Sequence, residues 1–210
     1  MKIYGHYFSS PANQVRLTAS ALNLEHEYIH VDLMAGEQKE PAYRAVNKFG
    51  KVPAIDDDGY QLAESGAICR YLACKSDNGL YPDDIKARGD IDQWMDFAAH
   101  HIRANMGKVL FNTVFAPAMD LPTDQKSLDE GRANLDANLP TVDAALKENA
   151  FLTGDALTIA DTAMIAAMEP FEMINYDIAP YANVKRWRDA AMAQDWYQRV
   201  HAHYAAEHQL

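Results

Sequence analysis

Cysteine is scarce in this sequence, and positive charge is outweighed by negative charge. The 210 residues contain two cysteines, Cys69 and Cys74, whose spacing fits neither a CxxC redox motif nor a framework of disulfide bonds. Lysine and arginine number 19 against 30 aspartates and glutamates, which gives a net charge of −11. This balance argues against nucleic acid and against anionic membrane surfaces as partners. An anionic ligand would therefore need a local basic pocket.

Long apolar runs are also missing. The sequence contains no stretch of about 18 apolar residues, so no segment is expected to span a membrane. Residues 1–5 lead directly into strand-like sequence without the pattern of a signal peptide. Together with the lack of a disulfide framework, this predicts a cytoplasmic protein with reduced cysteines.

The first third of the chain alternates strand and helix patterns. Strands are predicted at residues 2–7, 27–31, 52–55 and 60–63, and helices at residues 11–23, 41–46 and 65–75. The order β-α-β-α-β-β-α combines two parallel strands, joined by a right-handed crossover, with a closing antiparallel hairpin. This order predicts an α/β domain with the thioredoxin-like fold.

Strand patterns disappear after a polar, turn-rich segment. Helical patterns then occupy residues 85–115, residues 123–148, residues 159–174 and the chain from residue 184 onward. Pro140 and Pro170 are expected to kink or split two of these helices. We therefore predict a thioredoxin-like domain at residues 1–77, a linker at residues 78–86 and an all-α domain at residues 87–210.

A ligand site is indicated on both sides of the predicted hairpin, whose turn is expected at residues 56–59. The Val52-Pro53 bond precedes it, and an X-Pro bond at such a place can be cis and present the preceding backbone to a ligand. Ser65 is predicted as the N-cap of the helix that follows. Its hydroxyl and the helix N-terminus can hold a carboxylate, and Glu64 can accept from an ammonium group. These features predict a site for a peptide-like molecule that carries both charges. The alternative is an ordinary capping serine beside a solvated glutamate.

Two adjacent serines end the first strand and open the first helix. Ser10 is followed by Pro11 and is predicted as the helix N-cap. Ser9 is not needed for that role, so we predict that its hydroxyl donates to a thiolate near the positive end of the helix. An ordinary loop serine is the alternative for Ser9, and Tyr7 is a rival hydroxyl donor.

Three further polar residues offer the basic pocket that an acidic protein needs for a second carboxylate. They are Gln38, Lys39 and Lys51. Lysines in loops are usually only solvated, so each of these residues alone indicates little.

The second domain carries one clear local motif and one pair of histidines. Thr158 and Asp161 fit a capping box with aspartate in the glutamate position, which we interpret as structural. His100 and His101 are adjacent and do not share a helix face, so no metal site is predicted there.

On four motifs in combination, the chain resembles a cytosolic glutathione S-transferase from near residue 1 to near residue 203. The motifs are the Tyr4-Gly5 to Ser9 opening, residues 47–54 (NKFGKVPA), residues 64–68 (ESGAI) and residues 152–161 (LTGDALTIAD). The spacing of residues 2–9 is similar to the serine-type phi and theta classes, in a bacterial-looking member. It places the catalytic serine at Ser9, whereas the register of a cysteine-type bacterial class would place it at Ser10.

The resemblance implies an enzyme that joins the thiolate of bound glutathione, its co-substrate, to small hydrophobic electrophiles. It implies no metal, no other cofactor and a homodimer. The implied glutathione contacts are Ser9, Gln38, Lys39, Lys51, Val52, Pro53, Glu64 and Ser65. The electrophile contacts are expected among Tyr7, Phe8, His100, Arg103 and Phe111.

Two other functions are compatible with the same residues. One is a glutathione-dependent peroxidase, disulfide reductase or isomerase on the same fold. The other is a non-catalytic interaction module with this architecture. The presence of Ser9, Glu64 and Ser65 favours ligand binding over the module.

Overall fold

A four-stranded mixed sheet forms the centre of the first part of the chain in the computed structural model, which describes residues 1–76, 78–201 and 204. Its strands are β1 (Lys2–Gly5), β2 (Glu27–His30), β3 (Ala54–Asp57) and β4 (Tyr60–Ala63). They lie in the order β2-β1-β3-β4, with β1 parallel to β2 and antiparallel to β3, and β4 antiparallel to β3. The helices are α1 (Ser10–Ala21), α2 (Pro41–Val46) and α3 (Ser65–Ser76), with a 3₁₀ turn at Glu37–Lys39. The predicted thioredoxin-like order is confirmed.

The hairpin turn is tighter than the sequence pattern suggested. Asp56 and Asp57 belong to β3, and the turn itself consists of Asp58 and Gly59, with φ values of 54° and 93°. Two successive residues with positive φ form the type I′ turn that matches the twist of paired strands. The Asp56 carboxylate also accepts a hydrogen bond of 2.8 Å from the Gly59 N–H, which stabilises this turn.

Helix α3 is attached to the sheet by one nearly buried carboxylate. Asp57 on β3 accepts hydrogen bonds from the Tyr71 hydroxyl at 2.6 Å and from the Lys75 ammonium at 2.5 Å. The bond from Lys75 and then the bond from Tyr71 lower the pKa of the Asp57 carboxyl, so it is ionised at neutral pH. This attachment ties the second half of α3 to the end of β3.

After α3, the regular secondary structure of the described chain is helical, apart from an isolated β-bridge between Phe151 and Gly154. The helices are α4 (Ile85–Phe97), α5 (Ala104–Leu110), α6 (Ala116–Ala118), α7 (Gln125–Ala145), α8 (Ile159–Met168), α9 (Ala182–Met192) and α10 (Asp195–Gln198). Two π-helical segments, Ala98–Arg103 and Phe111–Phe115, join α4, α5 and α6 into one continuous helical stretch. Among the described residues, every helix is too short or too polar to cross a lipid bilayer.

The predicted domain boundaries stay a prediction. Helix α4 begins at Ile85, inside the segment predicted as a linker. Residue 77, where the first domain was expected to end, lies outside the described residues. The same is true of most of the predicted helix after residue 201.

The two prolines expected to interrupt helices behave differently. Helix α8 ends at Met168, two residues before Pro170, and a 3₁₀ turn follows at Glu169–Phe171. Pro140 lies inside α7, which continues to Ala145, so the helix is not split there, and the alternative of a kink stays a prediction. Pro140 and Asp136 both lie on the exposed side of α7, so water can solvate the carbonyl that the missing N–H leaves free.

Helix α8 is the centre of the core. All ten of its residues are buried, and it packs against α1, α3, α4 and the first π-helical segment. A helix that is apolar on every side belongs in an interior. The predicted capping box starts it, because Asp161 accepts from the Thr158 N–H at 3.0 Å. Asp161 further accepts from the Leu152 N–H at 2.9 Å and the Trp187 indole at 3.1 Å, so it anchors three segments.

We expect Asp161→Ala to lower the free energy of unfolding by about 2–4 kcal/mol, since it removes a helix cap and leaves buried donors without partners. Urea unfolding followed by circular dichroism measures this. The matched control is Asp155→Ala, an exposed aspartate in the same loop, which should change stability by less than about 0.5 kcal/mol. Equal unfolding midpoints for the two variants would contradict the anchoring role.

Candidate glutathione-binding site

A cleft of about 500 Å³ lies between the edge of the α/β domain and the long helical stretch. The segment before β3, the start of α3 and the first π-helical segment all contribute to its walls. Its lining residues are Pro11, Asn47, Lys51, Val52, Pro53, Glu64, Ser65, Gly66, Ala67, Arg70, Asp96, Ala99, His100 and Arg103.

The cleft unites half of the predicted site residues. Lys51, Val52, Pro53, Glu64, Ser65, His100 and Arg103 line it. Tyr7, Phe8, Ser9, Ser10, Gln38, Lys39 and Phe111 do not belong to this lining. Pro11, which does, lies directly after the two serines, so the start of α1 reaches the cleft wall.

The segment before β3 has the predicted backbone. The Val52-Pro53 peptide bond is cis, and both residues line the cleft. The carbonyl of Lys51 accepts hydrogen bonds from the Tyr43 hydroxyl at 2.7 Å and from the Asn47 amide at 2.6 Å. Two bonds to one carbonyl fix the chain immediately before Val52. The backbone at Val52 is therefore held in place against the cleft.

The start of α3 forms the opposite part of the cleft. Glu64 has a φ of 69°, in the left-handed region that is uncommon for a residue with a side chain. The prediction of Ser65 as N-cap is wrong by one residue. Ser65 is the first helical residue, and the Glu64 carbonyl accepts the helical bond from the Ile68 N–H at 2.9 Å. The first N–H groups of α3 have no partner within the helix and favour an anion there.

The prediction of Ser10 as the N-cap of α1 is wrong. Ser9 is the N-cap of α1, and its hydroxyl oxygen accepts from the Ala12 N–H at 3.3 Å. Ser10 is already helical, so Pro11 stands one position later than expected. The N–H of that second position also lacks a helical partner, which makes proline equally acceptable there. A capping serine keeps its own hydroxyl proton, so Ser9 can accept from Ala12 and still donate to a ligand.

Ser10 instead connects the two halves of the molecule. Its hydroxyl donates to the Ala166 carbonyl of α8 at 2.6 Å and accepts from Arg103 Nε at 3.1 Å. The single hydroxyl proton is thereby committed to a carbonyl. A donor role for Ser10 toward a thiolate would require that bond to break.

Arg103 lines the cleft, but its guanidinium is largely occupied by neutral partners. Besides Ser10, it donates from Nη2 to Gln14 Oε1 at 2.6 Å and lies 3.4 Å from the Ala163 carbonyl. Burial lowers the pKa of Arg103 to about 10, so it keeps its charge at neutral pH. Its positive charge therefore persists beside the start of α1.

The aromatic residues before α1 pack in two directions. Tyr7 stacks on His30 with a ring separation of 5.2 Å, and the Arg16 guanidinium lies 5.0 Å from its ring centre. Phe8 packs edge-on against Phe115 of the second π-helical segment at 5.9 Å. Phe8, a predicted electrophile contact, therefore joins the segment before α1 to the helical domain, as Arg103 also does.

Three other predicted residues lie outside the lining of the cleft. Lys39 is exposed, and Phe111 is 45% exposed on the second π-helical segment. Gln38 is half-buried, its Nε2 lies 3.5 Å from the Leu33 carbonyl, and its buried Oε1 has no hydrogen-bond partner within the described chain.

Sequence reasoning did not identify Asn47, Arg70 or Asp96 as part of the cleft. Asn47 is nearly buried in a loop and accepts from the Phe49 N–H at 3.0 Å, which is the usual signal of an Asx turn. Arg70 follows the Glu64-Ser65 pair within one and a half helical turns, and that spacing was the available signal. Asp96 reaches the cleft only through the packing of α4, so no local pattern indicated it.

Comparison with known proteins agrees with the motifs. Family models of the glutathione S-transferase N-terminal and C-terminal domains match residues 1–74 and 102–195. Glutathione S-transferase F10 of Arabidopsis thaliana is 32% identical over 203 residues, covering 95% of this chain and 91% of that relative. The chain belongs to the glutathione S-transferase family.

Solved structures of the family are similar over almost the whole chain. Glutathione S-transferase I bound with lactoylglutathione has a TM-score of 0.88 at 27% identity and covers 97% of this chain and 98% of its own. The maize glutathione S-transferase I in complex with an atrazine glutathione conjugate also has a TM-score of 0.88, with 97% of each chain covered. The family assignment from sequence is confirmed. These relatives do not bear out its bacterial or serine-type details.

We expect Arg103→Met to destabilise the protein by about 1–3 kcal/mol, because it leaves the acceptors on half-buried Ser10 and buried Gln14 without their donor. Urea unfolding measures the change, with the exposed Arg132→Met as the matched control. An Arg103→Met protein with the stability of the control but without glutathione binding would instead place Arg103 among the ligand contacts.

Proposed function

We propose that this protein is a glutathione transferase that conjugates the thiolate of glutathione to small hydrophobic electrophiles. The observation that carries the proposal is the single cleft onto which the cis Val52-Pro53 segment and the Glu64-Ser65 helix start both open. The similar solved structures named above carry lactoylglutathione or a glutathione conjugate. Membership of the family supports the same reaction class.

Each part of glutathione has a complementary group in the cleft. The γ-glutamyl carboxylate fits the first N–H groups of α3 and the Ser65 hydroxyl, and its ammonium fits Glu64. The backbone of Val52, next to the Lys51 carbonyl that Tyr43 and Asn47 hold, would pair with the cysteinyl unit in the manner of a β-bridge. Lys51 lines the cleft and is the candidate donor for the glycyl carboxylate, whereas Lys39 and Gln38 lie outside the lining.

The thiol is activated by hydrogen bonding rather than by a general base. A free thiol has a pKa of about 8.5, and each unit of lowering corresponds to about 1.4 kcal/mol of preference for the thiolate. One charge-assisted hydrogen bond supplies about 1.5–3 kcal/mol. The Ser9 hydroxyl, helped by the α1 N-terminus and the nearby charge of Arg103, is therefore sufficient to lower the pKa of the thiol to near neutral pH.

The chemical step is attack of this thiolate on an electrophilic carbon. A carbon–sulfur bond forms, and either a leaving group departs with the electron pair or a proton from water completes an addition. The electrophile would enter beside the aromatic contact between Phe8 and Phe115, with Tyr7, His100, Arg103 and Phe111 as further candidate contacts. Apolar walls next to a polar thiolate suit small hydrophobic electrophiles.

The Ser9 assignment is tested by pH–rate profiles with a chromogenic electrophile. Ser9→Ala should raise the kinetic pKa of bound glutathione and lower turnover at neutral pH, because less thiolate is present, while glutathione still binds. Ser9→Thr keeps a hydroxyl and should restore part of the activity. Ser10→Ala should lose stability through its bonds to Ala166 and Arg103, with a largely unchanged kinetic pKa.

Two results would contradict this assignment. A shift of the kinetic pKa in Ser10→Ala, without one in Ser9→Ala, would mean that Ser10 is the hydroxyl donor to the thiolate. No shift for either variant would assign the donor to Tyr7 or to a backbone N–H. The wild-type protein should be retained on immobilised glutathione and be released by free glutathione. If it is not retained, the proposed enzyme activity is rejected in favour of an interaction module.

We further propose a cytoplasmic homodimer, as the family pattern implies. The expected contact surfaces are the exposed residues within 69–75 of α3 and within 91–106 of the long helical stretch, since Cys69, Ile91 and Met106 themselves are buried. Phe49 and Tyr60, which are 53% and 50% exposed, add apolar area on the α/β domain. Sedimentation at micromolar concentration should give about twice the subunit mass of 23.5 kDa, and a species of 23.5 kDa would reject the dimer.

A further inference from the structure

The glycine in the Glu64-Ser65-Gly66 segment leaves room for a charged side chain. A Cβ atom at position 66 would lie only 3.1 Å from Nη1 of Arg70, and 3.8 Å from Cε of Met95. Residues 66 and 70 are four apart on one face of α3. Because Gly66 has no side chain, the Arg70 guanidinium can fold back over the first turn of the helix, beside Ser65.

Two carboxylates of α4 hold this guanidinium from the other side. Nε of Arg70 donates to Asp92 at 2.6 Å, and Nη2 lies 3.8 Å from Asp96. The Tyr81 hydroxyl donates to the same Asp92 carboxylate at 3.0 Å, which fixes that acceptor. Among the described residues, Nη1 has no assigned hydrogen bond and is the nitrogen nearest the start of α3. Asp92 and Asp96 therefore hold the guanidinium at Nε and Nη2, and Nη1 remains available to a ligand.

Arg70 differs from the other cations of the cleft. Arg103 spends its donors on Gln14, Ser10 and Ala163, and Lys51 lies on the segment before β3. Burial opposes the charge of Arg70, but its hydrogen bond and ion pair with Asp92 outweigh burial and raise its pKa. Arg70 is thus a charged donor next to the N–H groups that open α3.

We propose that Arg70 is a specificity-determining residue that binds the α-carboxylate of the γ-glutamyl group of glutathione, and that the absence of a side chain at Gly66 lets its guanidinium lie against the first turn of α3. This inference rests on the proposed function. An arginine beside helix N–H groups provides planar, charge-assisted donors for a carboxylate. A ligand with both charges on one carbon is selected over one that lacks either.

The experiment compares two ligands by isothermal titration calorimetry. One is glutathione, and the other is 4-aminobutyryl-cysteinylglycine, which lacks only the α-carboxylate. The wild-type protein should bind the second ligand about tenfold to a hundredfold more weakly. Arg70→Met should bind glutathione at least about tenfold more weakly than the wild-type protein does. It should bind the analogue with nearly wild-type affinity. The preference for glutathione should therefore shrink in this variant.

A second variant separates ligand binding from the Arg70–Asp92 ion pair. Gly66→Ala leaves that pair intact but places a methyl group against Nη1, so it should weaken glutathione binding several-fold without lowering the thermal midpoint. The matched control is Gly89→Ala on α4, where an added Cβ meets no atom within 4 Å, and it should bind glutathione as the wild type does.

The outcomes separate the two proposals. If wild-type protein binds neither ligand, the proposed function fails together with this inference. If it binds glutathione and Arg70→Met keeps the full preference for glutathione over the analogue, only the role of Arg70 is rejected. Normal glutathione affinity in Gly66→Ala would likewise reject the requirement for glycine.

Discussion

A chain of buried hydroxyl groups between α1 and α8 fixes the two halves of the molecule against each other. The Thr18 and Thr162 hydroxyls are 2.7 Å apart, and the Thr18 hydroxyl also lies 3.3 Å from Cys69 Sγ of α3, with all three residues at 0% exposure. A buried polar group left without its partner costs about 1–3 kcal/mol. Sliding α8 along α1 would unpair these groups and the Ser10 bond to Ala166. The cleft, whose walls come from both halves, therefore has one defined shape before any ligand enters.

The features that sequence reasoning predicted depend on chemistry within a few residues. The turn at Asp58-Gly59 needs two residues that tolerate positive φ, and the capping box of Asp161 needs its partner three positions earlier. Helix α2 and the start and end of α3 were predicted to within one residue for the same reason. The half of the cleft formed by Val52-Pro53 and Glu64-Ser65 could be predicted from the sequence because both segments flank the same hairpin.

The features that it missed depend on contacts between distant parts of the chain. Either of Ser9 and Ser10 satisfies the local rules for an N-cap, and the choice is made by the Ala166 carbonyl, 156 residues further on, which binds Ser10. No local pattern distinguished the π-helical segment at Ala98–Arg103 from ordinary α-helix, although it carries His100 and Arg103 to the cleft. Segments of this kind are frequent at functional sites, because the inserted residue changes which side chains face inward.

The acidic character of the protein determines how its cleft treats anions. With a net charge of −11, attraction of an anionic ligand must come from individual cations held close to it. Arg103 is bonded to neutral acceptors, so its charge is uncompensated and favours any nearby anion, including a thiolate, whatever its shape. Arg70 is paired with Asp92, which cancels much of its long-range field but leaves a directed donor. Arg103 thus contributes an electrostatic field beside Ser9, and Arg70 contributes a directed hydrogen-bond donor beside Ser65. A cleft that needs both a stabilised thiolate and a recognised amino-acid group has reason to keep these two kinds of cation apart.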